Sequence, residues 1–262
     1  MDSGLDIYAL ASGNSIVKRF NRLDTVARLE EFGRARLSQN FFMREFLHSE
    51  ICQLEGIQNI PDNPRLAIKA GRLLCQTILE PLQATFGRVS IRSGYRSAHL
   101  NAFGAGKRLN CARNEKNHAR HIWDRLDDDG CMGAMACVVL PWFTDRFDNG
   151  ADWRSLAWWI HDHLNYSELV FYPKLCAFNI GWHEKPKRTI KSHVAPLGYL
   201  LGPGQNDENG HGDWYRDFPA LRSVGLSHDC HHDGSRQSDA SALEQLQMWF
   251  LQPDDGINDG TR

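Results

Sequence analysis

Hydrophobic positions recur at helical spacing through the first third of the chain and at strand spacing through its middle. Val26, Leu29, Phe32 and Leu37 follow a period near 3.6 among arginines and glutamates, and Asp24 or Thr25 stands where a helix N-cap is needed. Phe46, Leu47, Ile51 and Leu54 make one face of a second helix over 43–54. After the turn at 59–63, Asn63 offers a cap and Pro64 takes the first helical position, where a missing N–H costs nothing. Leu66, Ala70, Leu73, Leu74, Ile78, Leu82 and Phe86 then share a stripe that Gly87 ends, and Pro81 predicts a bend in the last turn.

Beyond Gly87 the period shortens. Ser90–Ser93, Met135–Trp142 (halted by Pro141), Leu169–Tyr172, Phe178–Trp182 and Thr189–Val194 predict strands, and Asp152 caps a helix over 153–163. The polar, Gly- and Asn-rich stretch 101–130 predicts a long excursion with one helical turn near Ala119–Trp123. These elements specify an α+β fold, a small, mainly antiparallel sheet of about four to five strands flanked by helices. Residues 1–24 form a lead-in, 25–200 the domain, and 201–262 a polar C-terminal arm whose Leu243, Leu246, Trp249 and Phe250 suggest a last helix.

Composition narrows the function classes. Thirty Lys and Arg against 32 Asp and Glu leave a formal charge of −2, without the basic face that nucleic acid requires. No stretch reaches the roughly 18 apolar residues of a membrane span. The N-terminus lacks a basic segment followed by an apolar core, so a cytoplasmic protein is expected. Seven cysteines without a Cys-x-x-Cys pair argue for reduced thiols rather than a disulfide framework.

The chemistry-bearing residues lie between Val89 and Glu184. A catalytic zinc needs about three ligands drawn from imidazole, carboxylate or thiolate, with a general base and a nearby cation. Ser93-Gly-Tyr-Arg-Ser97 ends a strand and delivers Arg96 to its rim; His118 and His121 follow, then Gly133-Ala-Met-Ala-Cys137 and Phe178-Asn-Ile-Gly-Trp-His183. A cluster at His228, Cys230, His231 and His232 sits in the polar arm, where a solvated loop is expected.

From about Asn40 to Val194 this order resembles the zinc D-Ala-D-Ala carboxypeptidases of the hedgehog/DD-peptidase superfamily, which implies their fold and a bacterial or phage-related setting. The resemblance implies one zinc ion held by His121 (or His118), Cys137 and His183. Cys137 falls where those enzymes have aspartate, and a buried cysteine on an apolar strand is equally a packing residue. Ser93, Tyr95 and Arg96 would contact the substrate, a peptidoglycan-type or other peptide, and Arg96 would also act in catalysis. The base glutamate is replaced by Asn179 and Ile180, leaving Glu184, which on a strand points to the opposite face. Loss of a base removes about a hundred- to ten-thousand-fold in rate. Three functions are therefore expected from the resemblance: a divergent zinc peptidase acting on D-amino-acid-containing cell-wall peptides, a non-catalytic peptide- or protein-binding module of the same fold, or a structural protein of phage or mobile-element origin.

Overall fold

A computed structural model describes residues 22–109, 111–205, 207 and 210–222. Most of the expected lead-in, the histidine cluster at 228–232 and the expected last helix lie outside the described residues. The fold is α+β, with six strands rather than four or five: β1 (Ser90–Ser93), β2 (Gly133–Val139), β3 (Glu168–Phe171), β4 (Phe178–His183), β5 (Thr189–Ser192) and β6 (Gly198–Leu201). They lie in the order β1-β2-β4-β3-β5-β6, antiparallel except for the pair β3 and β5. β6 and that parallel pair were not foreseen, because Gly198-Tyr-Leu-Leu is too short to show a period and strand direction leaves no mark on it.

One face of the sheet is apolar. Ala134, Ala136, Val138, Leu169, Phe171, Phe178, Ile180 and Ile190 alternate onto it and are fully or almost fully buried. The helical run α4 (Pro64–Leu74), a π turn (Cys75–Leu79) and α5 (Glu80–Phe86) buries Ala67, Ala70, Leu74, Ile78 and Leu82. Asn63 caps the run by accepting from the Leu66 N–H at 3.1 Å. The expected bend appears one turn before Pro81 as the π turn: the proline ring has no N–H and crowds the carbonyl of the preceding turn, so the ladder widens there.

Short helices bracket this core. Thr25 caps α1 (Val26–Gly33), and the second expected helix breaks at Ser49 into α2 (Met43–Phe46) and α3 (Glu50–Glu55). Two helices were missed by sequence. Ser97 caps α6 (Ala98–Gly106) inside the expected loop, and Pro141, expected to stop a strand, opens α7 (Pro141–Asp148). The expected turn at 119–123 is irregular chain. Asp152 caps α8 (Trp153–His163) as expected.

The domain does not stop near Leu200. Residues 210–222 pack back onto it: His211 stacks on Trp158 of α8 at 3.7 Å, and Phe218 meets Phe86 and Trp142 at ring separations of 5.9 and 5.1 Å. Among the described residues no helix is long and apolar enough to cross a membrane, and the described cysteines are free thiols.

Candidate functional site

The second face of the sheet carries the candidate chemistry. Strand alternation places Ser93, Cys137, Asn179, Val170, Lys191 and Tyr199 in one row across it, since each is the register partner of the next. Glu168 and Thr189 form a neighbouring row with Gly181. Arg120, Glu168, Tyr172, Asn179, Lys191 and Tyr199 line a cleft of about 250 Å³ on this face. Apart from Ser93, Cys137 and Asn179, these residues drew no functional reading from the sequence; the available signal was the polar residue at every second position of strands whose other positions are buried.

The Ser-Gly-Tyr-Arg-Ser segment is largely structural. A Cβ on Gly94 would sit 2.8 Å from Phe46 Cβ, so glycine lets α2 pack against the end of β1. Tyr95, expected to contact substrate, is instead fully buried, and its hydroxyl donates to Asp124 Oδ1 at 3.1 Å. The second Asp124 oxygen accepts the backbone N–H groups of Asp62 (2.7 Å) and Asn63 (3.2 Å), so this carboxylate ties the motif to the start of α4. Burial, reinforced by the Asp124 charge, pushes the Tyr95 phenol far above its ordinary range. Ser97 is spent on capping α6. Ser93 and Arg96 remain near the cleft face, Ser93 as the register partner of Cys137.

The three residues expected to share a metal are not gathered. Cys137 pairs with Asn179 and His183 with Gly133, four positions away along the same two strands, a separation of about 13 Å at the usual strand rise. His121 belongs to the β1 end: its Nδ1 lies 2.9 Å from the Gly94 carbonyl, and its own carbonyl accepts from the Arg96 N–H. Burial, with help from the Arg96 charge, lowers the His121 pKa to about 3, so the ring is neutral. Burial raises the Cys137 thiol to about 11 although Arg92 and Arg96 pull it down, which keeps sulfur protonated near neutrality.

His183 is committed elsewhere. Its Nδ1 accepts from the Lys185 N–H at 3.0 Å, which leaves Nε2 to donate to Asp127 Oδ2 at 3.0 Å. Glu184, the remaining base candidate, accepts from the Met132 N–H at 2.6 Å and so closes the sheet end next to His183, five positions from Asn179. His118 forms an isolated bridge with Ile122. Among the described residues no set of three or more His, Cys, Asp or Glu side chains is spaced to hold a metal ion.

What the cleft does hold is a charged and aromatic lining. Arg120 Nη2 contacts Glu168 Oε2 at 2.8 Å, and Lys187 Nζ approaches the other oxygen at 3.7 Å. Asn179 Nδ2 donates to the Tyr172 hydroxyl at 3.1 Å, and Tyr172 stacks on His193 with ring centroids 5.4 Å apart and planes inclined by 13°. Lys191 Nζ stands 5.7 Å from the centre of the Tyr199 ring. Such a surface is equipped to bind through charge-assisted hydrogen bonds and stacking. Compared with models of known protein families, with curated proteins and with solved structures, the chain matches none.

Proposed function

We propose that this chain is a non-catalytic binding module that receives a short peptide on the polar face of its sheet. The observation that carries this reading is the strand register that separates Cys137 from His183 by four residues. The other parts agree with it. The Glu184 carboxylate is occupied by backbone, His121 is a neutral buried ring, and Cys137 is a protonated thiol, so none of these three candidates is poised as a base or thiolate. The resemblance to the zinc carboxypeptidases then concerns the scaffold and Arg96.

A peptide suits the place. A volume of about 250 Å³ accepts one or two side chains rather than a large cofactor. β6 is the edge strand next to the cleft, and an edge offers its outward backbone groups to an extended chain. Calorimetric titration with short peptides, including a muramyl pentapeptide, tests the reading, with release of D-alanine followed in parallel. Saturable binding that weakens on Lys191→Ala, without turnover, is the expected result; turnover at any rate above the uncatalysed one would overturn it.

A further inference from the structure

One side of the cleft carries positive charge that the fold leaves unneutralised. β1 bulges where it meets β2: Ile91 pairs with Val138 and Ser93 with Cys137, so Arg92 is an extra residue without a register partner. A bulge re-aims the side chain it carries, and the exposed Arg92 brings its charge close enough to influence both the Cys137 thiol and the Tyr172 phenol. Arg96 influences the same two groups from the turn after β1. Among the described residues its guanidinium donates to neutral acceptors, Asn101 Oδ1 at 3.4 Å and Cys111 Sγ at 3.3 Å.

Arg120 completes the set from the segment that continues the β1 edge of the sheet, its carbonyl bonded to the Met135 N–H and that of its neighbour His121 to the Arg96 N–H. Arg120 shares Glu168 with Lys187, and its buried Nε has no hydrogen-bond partner among the described residues. Among the described residues neither Arg92 nor Arg96 has a carboxylate within ion-pair distance; Glu50 is the acid whose charge also reaches Cys137. Because the Tyr172 oxygen accepts from Asn179, its own hydrogen is free to donate elsewhere. Two guanidiniums without an ion pair among the described residues, a third shared with Glu168 and a phenolic donor thus lie on the face whose row runs through Ser93, Cys137 and Asn179.

We propose that the space between Arg92, Arg96 and Arg120 seats a doubly charged oxyanion, the phosphate or sulfate monoester of a ligand whose remainder lies along Tyr172 and His193. The inference rests on the binding role proposed above and names the chemistry of what is bound. A carboxylate is satisfied by the fork of a single guanidinium, whereas a tetrahedral dianion has oxygens for several at once. The stacked Tyr172–His193 pair gives an adjoining wall for a planar or apolar remainder.

Titration of the full chain with inorganic phosphate, sulfate, phenyl phosphate and acetate at constant ionic strength, followed through the Asn179 side-chain amide by NMR, tests this. Phosphate and sulfate should saturate, phenyl phosphate should bind more tightly than phosphate, and acetate should bind at least about tenfold more weakly, the equivalent of one charge-assisted hydrogen bond. Arg92→Gln, at an exposed position that folding tolerates, should weaken phosphate about tenfold, and Arg92→Lys should restore part of that loss. Acetate equal to phosphate, sodium chloride reproducing the shifts, or an indifferent Arg92→Gln would overturn the proposal. Neutral amidated peptides binding where phosphate does not would overturn it while sparing the binding role; binding of neither would remove both.

Discussion

Gly133→Ala is a sharp test of how the cleft is built. A Cβ at this position would stand 2.7 Å from His183 Cδ2 and 3.1 Å from the Ala119 carbonyl carbon, with the Ala119 oxygen nearer still. Neither neighbour can give way easily. The His183 ring is held at both nitrogens, by Lys185 and Asp127. Ala119 is backbone, already in the left-handed region at φ 52°, and its N–H is bonded to the Arg125 carbonyl at 2.9 Å. Overpacking typically costs about 1–3 kcal/mol, and a clash with fixed backbone belongs at the upper end. A loss of about 3 kcal/mol lowers Tm by about 6–12 °C for a domain of this size. The damage should reach the cleft, since the Met135 N–H donates at 2.8 Å to the carbonyl of Arg120, one residue beyond Ala119. Thermal and urea unfolding followed by circular dichroism measure the first effect and peptide titration the second. A variant within about 2 °C of the parent with unchanged affinity would show that neither the His183 ring nor the Ala119 backbone is fixed there.

Other substitutions probe the remaining ties. Asp124→Ala strands the Tyr95 hydroxyl and two backbone donors, and should cost about 3 kcal/mol or more by urea unfolding, against about 1 kcal/mol for Tyr95→Phe. Acid titration should show a stability that declines as pH falls from 6.5 towards about 3, because the unfolded chain takes up a proton at His121 that the buried ring refuses. His121→Gln should flatten that window, with a slope lost of up to about 1.4 kcal/mol per pH unit. Burial acts to raise the Asp162 pKa, but hydrogen bonds from Tyr215 and His211 outweigh it and lower it on balance; its contribution is therefore present above the usual 3.8 and lost as pH falls below, and Asp162→Asn should loosen 210–222 and expose Trp158 to a fluorescence quencher. With its thiol raised to about 11, Cys137 should resist alkylation at pH 8 after the less buried Cys52 and Cys111 have reacted, which peptide mass mapping resolves.

Much of the scaffold is written in local pattern. The helical run from Pro64 to Phe86 is legible because its cap, stripe and stop agree, and β2 and β4 because their apolar runs suit no other element. α6 is hidden because Ala98–Gly106 has little periodicity; Ser97 and the side-chain bonds of Asn101 to Ala112 and Asn114 hold it in place. Pro141 was misread because proline ends a strand and begins a helix with equal ease.

The site was legible only in part, and for a physical reason. Sequence brings Arg96, His121 and Cys137 to one end of the sheet, as their motif order suggests, but strand register decides which residues face one another. His183 lands opposite Gly133 rather than Cys137, and that register keeps the sulfur and the imidazole four positions apart. Arg120, Tyr172 and Lys191 come from three separate segments and compose no motif along the chain; only the fold assembles them.

Cobalt(II) substitution addresses that separation most directly, because a thiolate bound to cobalt gives a charge-transfer absorption that reports the sulfur itself. No such band attributable to Cys137 is expected, and the spectra of the parent, Cys137→Ser and His183→Gln proteins should superimpose. A band in the parent that disappears in both variants would show sulfur and imidazole on one ion and contradict that separation.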